Sequence, residues 1–84
     1  METISAARIR ASSLDPLLKS ELIRAIDEAN LGAENAVIAK RYLIEKIPQV
    51  DIAAEIGYER STISRRIPKI ISRVEWAANK LGYL

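Results

Sequence analysis

The stretch QVDIAAEIGYERSTISR, residues 49–65, decides how this chain folds. Ala53 is small enough to let two helices cross closely, and Gly57, four positions on, tolerates the positive φ of a tight turn. Ile63, six positions further, is an aliphatic anchor that can pin a second helix to the first. Ile52 and Ile56 before the glycine and Tyr58 after it supply the remaining expected contacts between the helices, and Ile67 continues the same side. The spacing predicts a helix over 49–56, a turn at Gly57, and a second helix from about Arg60.

Downstream, Ile63, Ile67, Ile70, Ile71, Val74, Ala77, Ala78 and Leu81 recur three and four residues apart, the stripe of a helix running to Leu81. Its other side carries Ser61, Arg65, Pro68, Lys69 and Ser72. Pro68 has no N–H for the Ser64 carbonyl and its ring crowds that turn, so a kink or break is expected just after Ile67. Upstream, Pro48 closes a helix predicted over 34–46, because the residue before a proline avoids the helical region. Ala36, Val37, Lys40, Leu43, Ile44 and Ile47 give that helix a mixed apolar face. An earlier helix, about 16–30, is expected to open with Asp15 as its cap and Pro16 at its first position. Leu18, Leu22, Ala25, Ile26 and Ala29 form its stripe, and Asn30-Leu31-Gly32 stops it. Residues 1–13 read as an N-terminal arm with weak helical periodicity, and 14–84 as one domain. No strand-period alternation competes, so the expected fold is all-α, with four or five helices including a helix-turn-helix.

Composition narrows the function. A chain of 84 residues buries only about 60% of the surface it exposes when unfolded, which leaves little interior for a deep substrate cleft or a small-molecule ligand. With no Cys and no His, zinc ligands, thiol nucleophiles and the imidazole base are all missing. The carboxylates of Asp27, Glu28, Glu34, Asp51 and Glu55 are spaced as ordinary helix-surface charges. The expectation is therefore no enzyme, no metal and no cofactor. Arg8, Arg10, Asp15, Lys19 and Glu21 interrupt every early apolar run, and no stretch approaches the ~20 apolar residues of a membrane span. A cytoplasmic location is expected.

Net charge is only +2, but it is unevenly spread. Residues 1–59 carry seven basic and ten acidic side chains, whereas residues 60–84 carry six basic ones against Glu75 alone. Such asymmetry suits a polyanionic partner, or simply a solvated helix face.

Arg41-Tyr-Leu, residues 47–57 (IPQVDIAAEIG) and residues 60–67 (RSTISRRI) together resemble DNA-binding region four of bacterial sigma factors and the stand-alone regulators built from it. The likeness covers about residues 34–75. It implies that the helix from Arg60 to Ile67 reads the major groove of promoter DNA while the preceding helix rests on phosphates. The short length departs from a full initiation factor and is expected of a bacterial or phage regulator.

On that resemblance, Arg60, Ser61, Ser64 and Arg65 are the base-reading candidates, with Arg65 able to grip a guanine edge in a bidentate manner. Ser61 can instead help start the helix, and Glu59 can serve its dipole. Arg66, Lys69 and Arg73, with Lys46 and Gln49 near the first motif helix, are the phosphate candidates, which position without specifying. Five phosphate contacts per chain would give a log–log salt slope of about −4.5. Trp76, Leu81, Tyr83 and Leu84 read either as plain core or as a homodimer interface pairing two half-sites. The expected partner is double-stranded DNA. Docking on RNA polymerase or an antagonist, or a phage DNA-packaging role, are the rival readings.

Overall fold

The computed structural model describes residues 13–84. They form four α-helices, α1 (Lys19–Ala29), α2 (Ala33–Ala39), α3 (Gln49–Ile56) and α4 (Arg60–Lys80), with a π-helical segment, Lys40–Ile44, continuing α2. The fold is all-α, and no strand occurs among the described residues. The expected N-terminal arm lies outside them, apart from Ser13.

α4 is the spine on which α1, α2 and α3 pack. At 1.5 Å per residue its 21 residues make a rod of about 32 Å. Ile63, Ile67, Ile70, Ile71, Val74, Ala77 and Ala78 are all buried along one side. They join Leu22, Ala25, Ile26, Ala29, Ile38, Ala39, Leu43, Ile52 and Ala53 in a single core.

The expected break at Pro68 is absent: α4 runs from Arg60 to Lys80 as one element. Isoleucines on both sides of the proline explain this. Ending the helix at Ile67 would swing Ile70, Ile71 and Val74 off the buried side. Each such side chain is worth about 1.5–3 kcal/mol when buried, so together they outweigh the ~3 kcal/mol that an interior proline costs.

The first helix begins later than the Asp15-Pro16 signal suggests. Residues 14–17 form a turn closed by the Leu17 N–H donating to the Leu14 carbonyl at 3.1 Å. That turn drives Leu14 and Leu17 into the core and leaves Asp15 and Pro16 outside. Leu18 then takes the cap position with its side chain 65% exposed, so it does not belong to the stripe assigned to it. Glu21 reaches back to accept from the Leu18 N–H at 2.8 Å. Asn30, in the left-handed conformation at φ 54°, ends α1 as expected.

The second helix is also turned from its expected face. Val37 is 45% exposed, while Ile38 and Ala39 are fully buried. The mixed pattern of residues 36–44 allowed either choice, and contact with α4 decides it. The segment closes through Lys46, a non-glycine at φ 59°, with the Ile47 N–H donating to the Arg41 carbonyl at 3.0 Å. Extended Pro48 then opens α3.

α3 and α4 are joined by Gly57, Tyr58 and Glu59. Gly57 has φ 90°, a region L side chains rarely adopt, and both it and Tyr58 donate backbone N–H groups to the Ala53 carbonyl at 2.9 Å. Ile52 and Ala53 are buried and Ile56 is half-buried against the core. Tyr58 corrects the expectation of a buried contact. It is 38% exposed, because the αL turn throws it outward toward α2 rather than between α3 and α4.

Candidate functional site

The side of α4 opposite the buried stripe carries Ser61, Arg65, Pro68, Lys69 and Ser72, all exposed as expected. Arg60, exposed at the helix start, shares a shallow recess with Pro48, Gln49 and Val50. Arg65 and Lys69 line a second recess with Thr62 and Arg66. Arg60, Arg65 and Lys69 form no ion pair with any described residue, so their charges face solvent unneutralised.

Ser64 and Gln49 meet directly. The Ser64 hydroxyl donates to Gln49 Oε1 at 2.6 Å, tying the start of α3 to the second turn of α4. Accepting through its oxygen leaves Gln49 both amide N–H groups as donors. Glu59 caps α4 through its backbone, its carbonyl accepting from Thr62 at 3.0 Å, with no side-chain cap bond.

The flank of α4 that faces the α1–α2 connection is more heavily committed. Arg66 Nη1 donates to Glu34 Oε1 at 2.7 Å and to Asn35 Oδ1 at 3.3 Å, and its guanidinium lies 5.0 Å over the Tyr58 ring. The Tyr58 hydroxyl donates to Glu34 at 2.9 Å. Arg73 donates to the Ala29 carbonyl at 2.7 Å, satisfying the C-terminal end of α1, and stacks 5.1 Å over Trp76. Between these elements runs a groove of about 720 Å³ lined by Arg66, Lys69 and Arg73 on one wall and residues 30–35 on the other.

The bond from Arg66, and then that from Tyr58, hold the Glu34 carboxyl below the usual glutamate range. A carboxylate stabilised this way contributes fully above its unfolded pKa of about 4.3 and loses that contribution as pH falls through the lowered folded value. The urea midpoints of wild type and Glu34→Gln should therefore differ by a constant amount near neutrality and converge as the pH drops below about 4.

Lys46 stands apart from the α4 face, 3.8 Å from Asp15 on the α1 side of the molecule. The C-terminal group divides. Trp76 is 49% exposed and Leu84 is also exposed, whereas Leu81 is half-buried and Tyr83 packs against the core. The reading of Glu34 as an ordinary surface charge misses its ties to Arg66 and Tyr58, and Asn35 is given no role, since nothing local in the pattern at 33–35 says that Arg66, 32 positions after Glu34, will sit beside it. Among the described residues, no helix is long and apolar enough to cross a membrane.

No protein-family model, no curated protein and no solved structure matches the chain.

Proposed function

We propose that the chain binds double-stranded DNA sequence-specifically through α3 and α4 acting as a helix-turn-helix, and regulates transcription in the cytoplasm of a bacterium or phage-infected cell. The observation that carries this reading is a coincidence on one surface. Arg60, Ser61 and Arg65 project from the first two turns of α4, the two arginines unneutralised, beside a Gln49 that keeps two donors. An α-helix matches the ~12 Å width of the B-DNA major groove. Arg65, on the outermost line of α4, donates to the O6 and N7 of a guanine, with Arg60 and Ser61 reaching neighbouring edges. Lys69 and Gln49 hold phosphates. Ser64 acts mainly by orienting Gln49. Arg66 and Arg73 reach phosphate only by leaving Glu34 and the Ala29 carbonyl. The role is one of binding, with no bond made or broken.

Selection of bound sequences from random duplexes tests this directly, since it reports binding, site length and half-site symmetry at once. With Lys69 on phosphate and Arg60 and Arg65 the other unpaired cations of this face, the log–log salt slope should be about −1 to −3, shallower than the five-contact value. An apolar docking surface for RNA polymerase would respond weakly to salt. On a selected site Arg65→Ala should cost about 1–3 kcal/mol and relax one base preference, while Lys69→Ala should weaken selected and scrambled duplexes alike. Equal binding by wild type and Arg65→Ala would remove Arg65 from the reading set.

Exposed Trp76 favours an additional homodimer contact. It lies 11 residues past Arg65, about 16 Å along the helix and clear of the groove. Sedimentation should show Trp76→Ala favouring the monomer; a wild-type monomer with and without DNA would count against pairing.

A further inference from the structure

Glu34, Tyr58 and Arg66 form a polar cluster at the rim of the basic groove, outside the core. The Glu34 carboxylate accepts from Arg66 in the same charge-assisted manner that a phosphate oxygen would. The Tyr58 hydroxyl, from the turn between α3 and α4, and the Asn35 side chain, from α2, steady this arrangement. Arg66 is therefore neutralised on the wall it shares with Lys69, which has no ion-pair partner among the described residues, and with Arg73.

We propose that Glu34 is a built-in competitor for DNA phosphate. It occupies Arg66 in the free protein and is displaced when a duplex backbone enters the groove. The exchange is anion for anion, so Arg66 contributes almost nothing to counterion release, and affinity for every duplex is held down by the same factor. This inference rests on the DNA-binding reading of α4 and assigns that site a regulating residue. Tyr58 joins the competitor to the connection between α3 and α4, so contacts made there bear on how firmly Glu34 is held.

Wild type, Glu34→Gln, Arg66→Gln and the double variant are titrated against a selected and a scrambled duplex between about 50 and 200 mM salt, with helicity checked by circular dichroism. Glu34→Gln should bind both duplexes roughly 3–10-fold more tightly at about 100 mM salt and steepen the slope by about 1. In the Arg66→Gln background the gain should vanish, which separates competition for Arg66 from the general effect of deleting a negative charge. Tyr58→Phe, which removes only the hydroxyl bond to Glu34, should give a smaller gain of the same sign and serves if Glu34→Gln loses helicity. Unchanged or weaker binding by Glu34→Gln, or an equal gain without Arg66, overturns the competitor role while leaving the DNA reading intact. Wild type that binds no duplex even at about 50 mM salt overturns the DNA reading itself, and the competitor with it.

Discussion

Ile63→Ala should destabilise the protein by about 2–5 kcal/mol. Ile63 is fully buried in the first turn of α4, in the same core as Ile52 and Ala53, and it fixes where α4 leaves the turn at Gly57. Truncation removes three buried carbons and leaves a void that neighbours on two rigid helices cannot fill. The whole stability of a domain this size is about 4–12 kcal/mol, so the loss is a large fraction of it. Thermal unfolding should fall by roughly 8–40 °C, with the urea midpoint lowered at an unchanged slope. Ser72→Ala, on the exposed side of the same helix, should stay within about 0.5 kcal/mol of wild type. A loss below about 1 kcal/mol at Ile63 would mean that the α3–α4 crossing is not part of the core.

The second large effect has the opposite sign. Pro68 is exposed in the middle of α4, so replacing it with alanine loses no packing, restores an N–H for the Ser64 carbonyl and relieves the ring's contact with that turn. An interior proline costs about 3 kcal/mol, of which up to about 1 kcal/mol is offset by its stiffening of the unfolded chain. Pro68→Ala should therefore stabilise by about 2 kcal/mol and raise the unfolding temperature by roughly 8–16 °C. Unchanged or lowered stability would show that α4 depends on the proline's geometry rather than tolerating it.

These two residues mark what was legible in the sequence. The buried stripe of α4 and the turn at Gly57 could be read because both depend on local rules: helical spacing for the isoleucines, and positive φ for the glycine. The break expected at Pro68 rests on a local penalty alone, which the tertiary burial of Ile70, Ile71 and Val74 overrides. Leu14 and Leu17 enter the core through a turn, where no helical periodicity announces them. The apolar face read for α2 includes Val37 and leaves out its neighbour Ile38, and packing against α4 buries Ile38 instead. The outward line of Ser61, Arg65 and Lys69 followed from the stripe by elimination. The ties from Arg66 to Glu34 and from Arg73 to the Ala29 carbonyl did not, since they join residues 32 and 44 positions apart.

That difference matters for the site. Sequence reading treats Arg66, Lys69 and Arg73 as three equivalent phosphate contacts, whereas the fold leaves only Lys69 without an internal partner among the described residues. In the proposed DNA-binding reading, the weight of recognition therefore falls on the start of α4, on Arg60, Ser61 and Arg65.

Titration of the isotope-labelled protein with a selected duplex, followed by backbone and arginine side-chain NMR shifts, tests that assignment most directly. The largest changes should fall on Gln49, Arg60, Ser61, Arg65 and Lys69, and on the Arg66 guanidinium as it exchanges Glu34 for phosphate, with the core positions Ile26 and Val74 unmoved. Changes confined to Trp76 and the residues after it, or no change at any duplex concentration, would contradict the claim that the outward side of α4 meets DNA.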